Sequence, residues 1–111
     1  MQYSIDQLLA FAGPEKSDQA KLLKMFVESA EQNASSFKQQ LDANNRNEAC
    51  EIAHKMLTTF RQIQATKITT LLVPLERVGD PEISDSRFFE FGRLAHAEIK
   101  TVLEHIKQHH L

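Results

Sequence analysis

Cysteine is almost missing from this chain: Cys50 stands alone in 111 residues, so no internal disulfide can form, as in proteins of a reducing compartment. Glycine and proline are scarce, with three of each, and no segment alternates apolar and polar residues as a half-buried strand does. What remains is an all-helical composition. Basic residues gather into no stripe: 13 Lys and Arg are mixed with 15 Asp and Glu, for a net charge of −2. Nucleic acid therefore has no electrostatic footprint here. No apolar run approaches the roughly 18 residues of a membrane span. Met1-Gln2-Tyr3-Ser4 also lacks the basic and apolar regions of a signal peptide. The expectation is a cytoplasmic protein without direct membrane contact. A Gly-rich phosphate loop and a nucleotide motif are missing too, so self-phosphorylation from ATP is not expected.

Hydrophobic residues at 41% and charged residues at 25% suit one globular domain spanning residues 1–111. Ser4-Ile5-Asp6-Gln7 reads as a capping box, the serine oxygen bonding the amide three residues on, ahead of a short helix that Gly13-Pro14 stops. Ser17 is the expected cap of a long helix whose stripe runs Leu23, Phe26, Ala30, Ala34, Phe37 and Leu41. Asn44 to Asn47 is a turn. A third helix runs from about Glu48 to Ile63, and a fourth carries Ile68, Leu71, Leu72, Leu75 and Val78 on one face. The stripe keeps its register across Pro74, which predicts one bent helix there, ended by Gly79-Asp80-Pro81. Ser84-Asp85-Ser86 offers caps for a last helix, and its tail from Lys107 to Leu111 is expected to fray. Short turns between four amphipathic helices predict an antiparallel up-down-up-down four-helix bundle, with the short first helix capping one end.

The third helix carries the candidate chemistry. Ala49, Ala53, Met56, Phe60 and Ile63 form its buried stripe, and His54 falls just off it, in a flanking row with Cys50, Leu57 and Arg61. Such a row is expected at the edge of the core, half covered, with one imidazole nitrogen reachable. Taking the next turn at Ala65, His54 stands eleven residues before it and Glu76 eleven after. An antiparallel hairpin sets these two side by side, so Glu76 would hold one ring nitrogen and raise the basicity of the other. The same mirror argument about Asn44-Asn45 puts Ser35 and Ser36 near His54.

The run from Asp42 through Ala53-His54-Lys55-Met56-Leu57 resembles the segment around the active histidine of histidine-containing phosphotransfer (HPt) domains. Leu22-Leu23-Lys24-Met25-Phe26-Val27-Glu28 is similar to that family's long preceding helix, and Leu72-Val73-Pro74-Leu75-Glu76 to its following leucine-rich helix. The His-Lys-Met-Leu-Thr-Thr-Phe run looks like a variant subgroup attached to hybrid sensor histidine kinases. A stand-alone cytoplasmic relay protein and a cytoplasmic piece of a larger, membrane-anchored kinase fit equally well. Two positions depart from the family pattern: Leu57 and Thr58 stand where a lysine and a glycine usually follow the histidine by three and four. Lys55 or Arg61 would then supply the phosphate's charge partner, Arg61 from about 10 Å along the helix.

The resemblance implies a phosphorelay carrier. His54 would take a phosphoryl group from a receiver-domain aspartate and pass it to a second receiver. The chain would need no cofactor of its own, the receiver's Mg²⁺ neutralising charge. Cys50, Leu57, Thr58 and Ser35 would form the receiver-docking patch on a monomeric bundle. Two rivals are simpler. A receiver-binding module without transfer would explain Leu57 and Thr58. A metal-binding bundle would use Glu51-Ile52-Ala53-His54, a Glu-x-x-His, but no second copy of that motif exists. His105 and His109, four apart, have zinc-ligand spacing but lie in the tail, so no metal site is expected.

Overall fold

The computed structural model describes residues 2–76 and 83–111. Among these, the elements are α1 (Asp6–Ala10), α2 (Lys16–Asp42), α3 (Arg46–Arg61), α4 (Thr66–Leu72) with a 3-10 turn at Val73–Leu75, and α5 (Asp85–His110). α2, α3, α4 and α5 pack in cyclic order around one core, and α1 lies against α2. The bundle measures 47 × 21 × 20 Å, its length set by α2 and α5 at 27 and 26 residues. The expected all-helical architecture is the observed one.

The two turns that reverse the chain around α3 are built alike. After α2, Asn44 takes a left-handed conformation (φ 55°), its N–H donating to Leu41 and that of Asn45 to Gln40. After α3, Gln64 does the same (φ 53°), donating to Arg61 while Ala65 donates to Phe60. Both are Schellman endings, which satisfy the last carbonyls of a helix within two residues. Asn45 then serves twice, because its side-chain oxygen accepts from the Glu48 N–H and caps α3. The third helix therefore starts at Arg46, two residues before the expected Glu48.

Other boundaries also differ from the sequence reading. Ser4 Oγ accepts from the amide of Asp6 rather than of Gln7, making a local turn outside α1 instead of a capping box. α2 begins at Lys16 with Glu15 as its cap, so Ser17 lies within the first turn. The fourth segment is not one bent α-helix. α4 stops at Leu72, and Val73-Pro74-Leu75 tightens into a 3-10 turn, because Pro74 has no N–H to give the α-helical ladder. Val78 and the stop at Gly79-Asp80-Pro81 lie outside the described residues. Ser84 caps α5 by accepting from Arg87, as one of the three expected caps. The tail does not fray: α5 continues to His110, with His105 hydrogen-bonded to Tyr3 and the His110 ring edge-on to it.

The core is aliphatic and aromatic, with Phe37, Phe60 and Phe88 fully buried and Phe26 edge-on to Phe60. Across the α3–α5 end, Arg46 donates to the Ile83 carbonyl and to Asp85, each at 2.8 Å, and lies over the Phe88 ring. At the other end the Ser4 amide donates to the Ile63 carbonyl at 2.7 Å, seating α1 beneath the α3–α4 turn. Where α5 crosses α2, a Cβ on Gly92 would stand 2.7 Å from Leu41 Cδ2 and 3.4 Å from Phe37 Cζ. The buried Leu41 side chain fills the space there, so a larger residue would have to displace its methyls. Beside that crossing, His96 is partly buried near Lys38 and Lys100, and desolvation first and the two ammonium groups second push its pKa down.

Two measurements check this packing. Gly92→Val forces branched methyls into Leu41 and should cost about 2–3 kcal/mol, a fall of roughly 10 °C in Tm by circular dichroism. His96 binds its proton less readily folded than unfolded, so its neutral form favours the native state at neutral pH. Stability should decline as pH falls below about 6.5, the ordinary histidine value, and denaturant titrations of His96→Gln should show a shallower decline.

Candidate functional site

Around α3 the helical phase separates the flanking row into two pairs. At 100° per residue, Leu57 and Cys50 lie roughly 80–100° from the centre of the buried stripe, Arg61 and His54 roughly 120–140°. The first pair is buried, Cys50 at 0% and Leu57 at 1% exposure, whereas Arg61 and His54 are exposed. The half-covered row expected from the sequence is thus a graded one. Cys50 and Leu57 are the floor under His54 and offer a docking partner no surface. This corrects their assignment to a docking patch: the packing of neighbouring elements covers positions that a single-helix projection leaves at the margin.

The His54 side chain is 70% exposed, and its Nδ1 lies 3.3 Å from Oε2 of Glu76, which is 28% exposed. The carboxylate arrives from the 3-10 turn. That turn advances about 2.0 Å per residue against 1.5 Å in an α-helix, carrying Glu76 farther along α3 than helical continuation would. With Nδ1–H donating to Glu76, the imidazole is held in the tautomer that leaves the Nε2 lone pair open to solvent. An exposed pair of this kind adds little stability, so its consequence is orientation.

Lys55, Thr58 and Arg61 are all exposed on the outer side of α3. Lys55 follows His54 by about 100° around the axis, and Arg61 lies two turns farther along. Ser35 does not face His54. It lines a groove between α2 and α5 with Lys38, His96 and Lys100, one seam away, because α2 turns that side toward α5. The mirror argument fixes height along a hairpin but not the direction in which a side chain points, and Ser35 leaves the docking assignment on that ground.

Among the described residues, no three His, Cys, Asp or Glu side chains are grouped to hold a metal ion. Glu51 and His54 share a helix face with no converging partners for a di-metal centre. His105 and His109 stack at 4.1 Å between ring centroids, with His105 Nδ1 bonded to Tyr3. No helix among the described residues is long and apolar enough to cross a membrane.

Among the described residues, the bundle displays a carboxylate-held imidazole on the exposed outer face of α3, away from the groove between α2 and α5. The chain belongs to the Hpt domain family, whose model matches residues 21–109, from the first turns of α2 to the end of α5. That membership brings a phosphotransfer-carrier role in two-component signalling and receiver domains as the class of partner. No curated protein and no solved structure is significantly similar to the chain.

Burial pushes the Cys50 thiol pKa up, and the neighbouring carboxylates Glu51 and Glu76 add to this against the opposing Arg46 charge. Thiolate is the reactive form. At pH 8 a thiol reagent should label native Cys50 at least 100-fold more slowly than the urea-unfolded chain, an order of magnitude set by local opening. Equal rates would contradict a closed floor beneath His54.

Proposed function

We propose that His54 is the phosphoacceptor of a phosphorelay, loaded from an aspartyl phosphate on one receiver domain and unloaded to an aspartate on another. The single observation that carries this reading is the His54–Glu76 pair at 3.3 Å, on a ring that is otherwise exposed. Neutral His54 attacks phosphorus through Nε2. The phosphorus–oxygen bond to the aspartyl carboxylate breaks as the phosphorus–nitrogen bond forms, and the carboxylate leaves with the electron pair. The ring becomes a phospho-imidazolium whose positive charge is shared through Nδ1–H with the Glu76 carboxylate. Transfer to the second receiver runs the same exchange in reverse.

In-line phosphoryl transfer draws on positioning and charge neutralisation more than on covalent help from the protein. On this reading the receiver's Mg²⁺ supplies most of the neutralisation and the chain carries no cofactor. Lys55 and Arg61 are the cations on the outer face of α3 able to approach the equatorial oxygens. Docking falls to the exposed outer face around His54 and Thr58, with the bundle acting as a monomer in the cytoplasm.

The test is phosphoryl uptake from receiver domains charged with acetyl phosphate. The native chain should gain an acid-labile, base-stable label that His54→Gln lacks entirely. Glu76→Gln keeps a hydrogen-bond acceptor but removes the charge, and it should slow uptake by about tenfold, in the range of a charge-assisted hydrogen bond. Binding to a receiver without uptake from any of them would overturn the transfer reading in favour of an interaction module.

A further inference from the structure

On the outer face of α3, we propose that the Thr58 hydroxyl is a hydrogen-bond donor to the phosphoryl group carried on His54 Nε2. The inference rests on the relay reading and adds a residue to it. Thr58 follows His54 by four positions, and side chains four apart on a helix lie about 5–6 Å from each other at Cβ. Because Cα–Cβ bonds tilt toward the helix N-terminus, the Thr58 side chain leans over the turn that carries His54. Its exposure leaves room for a phosphoryl group between them.

The hydroxyl is also uncommitted. Threonines inside helices commonly return their O–H to the carbonyl four residues back, and four of the five others in this chain bond to preceding carbonyls, Thr66 to Gln64 at 3.5 Å and three more closely. Thr59 donates to Lys55, Thr69 to Thr66, and Thr101 to Ala97, at 3.0–3.2 Å. Thr58 Oγ makes no hydrogen bond among the described residues, although the His54 carbonyl stands at the corresponding position. An exposed hydroxyl kept out of the backbone is available to a ligand oxygen.

The remaining neighbours of the imidazole on α3 cannot take this part. Leu57 and Cys50 are buried below it. Glu51, one turn toward the N-terminus, is an exposed acid that opposes a phosphoryl dianion. Lys55, about 100° aside, and Arg61, two turns along, would bring charge from the flanks and not a neutral donor next to the ring. Nδ1 is committed to Glu76. Thr58 is the uncharged donor within a turn of the accepting nitrogen, and it makes no covalent bond in the step.

Chemical loading separates this inference from the relay itself. Phosphoramidate transfers its phosphoryl group to an exposed imidazole nitrogen with release of ammonia, without any receiver. Native protein, Thr58→Val and Thr58→Ser are loaded this way, and the decay of phospho-His54 is followed by ³¹P NMR. Valine preserves the branched shape and removes the donor; serine restores it. Thr58→Val should shorten the half-life by about three- to tenfold, the reach of one neutral hydrogen bond, with Thr58→Ser within twofold of native. Equal half-lives for native and Thr58→Val overturn the inference, even if receiver-driven loading succeeds. Failure of receivers to load the native chain overturns the relay reading instead, whatever the half-lives.

Discussion

The left-handed backbone at Gln64 is the constraint on which the site depends. A non-glycine residue at φ 53° costs on the order of 1–2 kcal/mol, and here two backbone hydrogen bonds and the burial of Ala65 offset it. In exchange, α3 ends and α4 begins within four residues, so the two run side by side with no slack. The carboxylate of Glu76 then meets His54 because both stand at the same height above that turn. A slip of one residue would move Glu76 by about 2 Å and about 120° around its axis, beyond the reach of the 3.3 Å contact. The turn also receives the Ser4 amide through Ile63, so the N-terminal segment helps to hold it.

Above this turn, the burial gradient around α3 separates structure from chemistry. Residues at roughly 80–100° from the stripe, Cys50 and Leu57, complete the core, and those farther round are left to solvent. The buried floor packs beneath the imidazole without hydrogen-bonding to its nitrogens. The exposed His54–Glu76 pair contributes little to stability, so the sequence is free to choose these residues for what they do. Stability comes instead from the aromatic and aliphatic core and from the close α2–α5 crossing at Gly92.

Much of this was legible in the sequence, for identifiable reasons. The helical stripes name the helices that form, and counting from Ala65 pairs His54 with Glu76, because antiparallel register follows from turn position. Three kinds of information were not legible. Helix phase near the stripe's margin does not say whether a neighbouring element covers it, so Cys50 and Leu57 read as half covered when both are buried. Register gives height but not facing, so the mirror argument sets Ser35 beside His54 although it turns to the groove with α5. Long-range partners are silent in a linear reading: the tail from Lys107 onward looks ready to fray until Tyr3 is seen against His105 and His110. Gln64 carries no left-handed signature, and only the hydrogen bonds that end α3 explain its conformation.

The two departures from the family pattern then acquire different physical meanings. Leu57 at the lysine position is absorbed by the core, so its side chain has left the functional face altogether. Thr58 at the glycine position stays on that face and brings a hydroxyl where the pattern has no side chain. A carrier that must both accept and release a phosphoryl group is poorly served by a site that holds it too strongly, since tight binding of an intermediate raises the barrier to its departure. One neutral donor and mobile cations at the ends of long side chains give weaker, more easily broken contacts than a fixed ammonium beside the ring. On the proposed reading, the site stabilises the phosphoryl group modestly and leaves the strong charge neutralisation to the partner that docks over it.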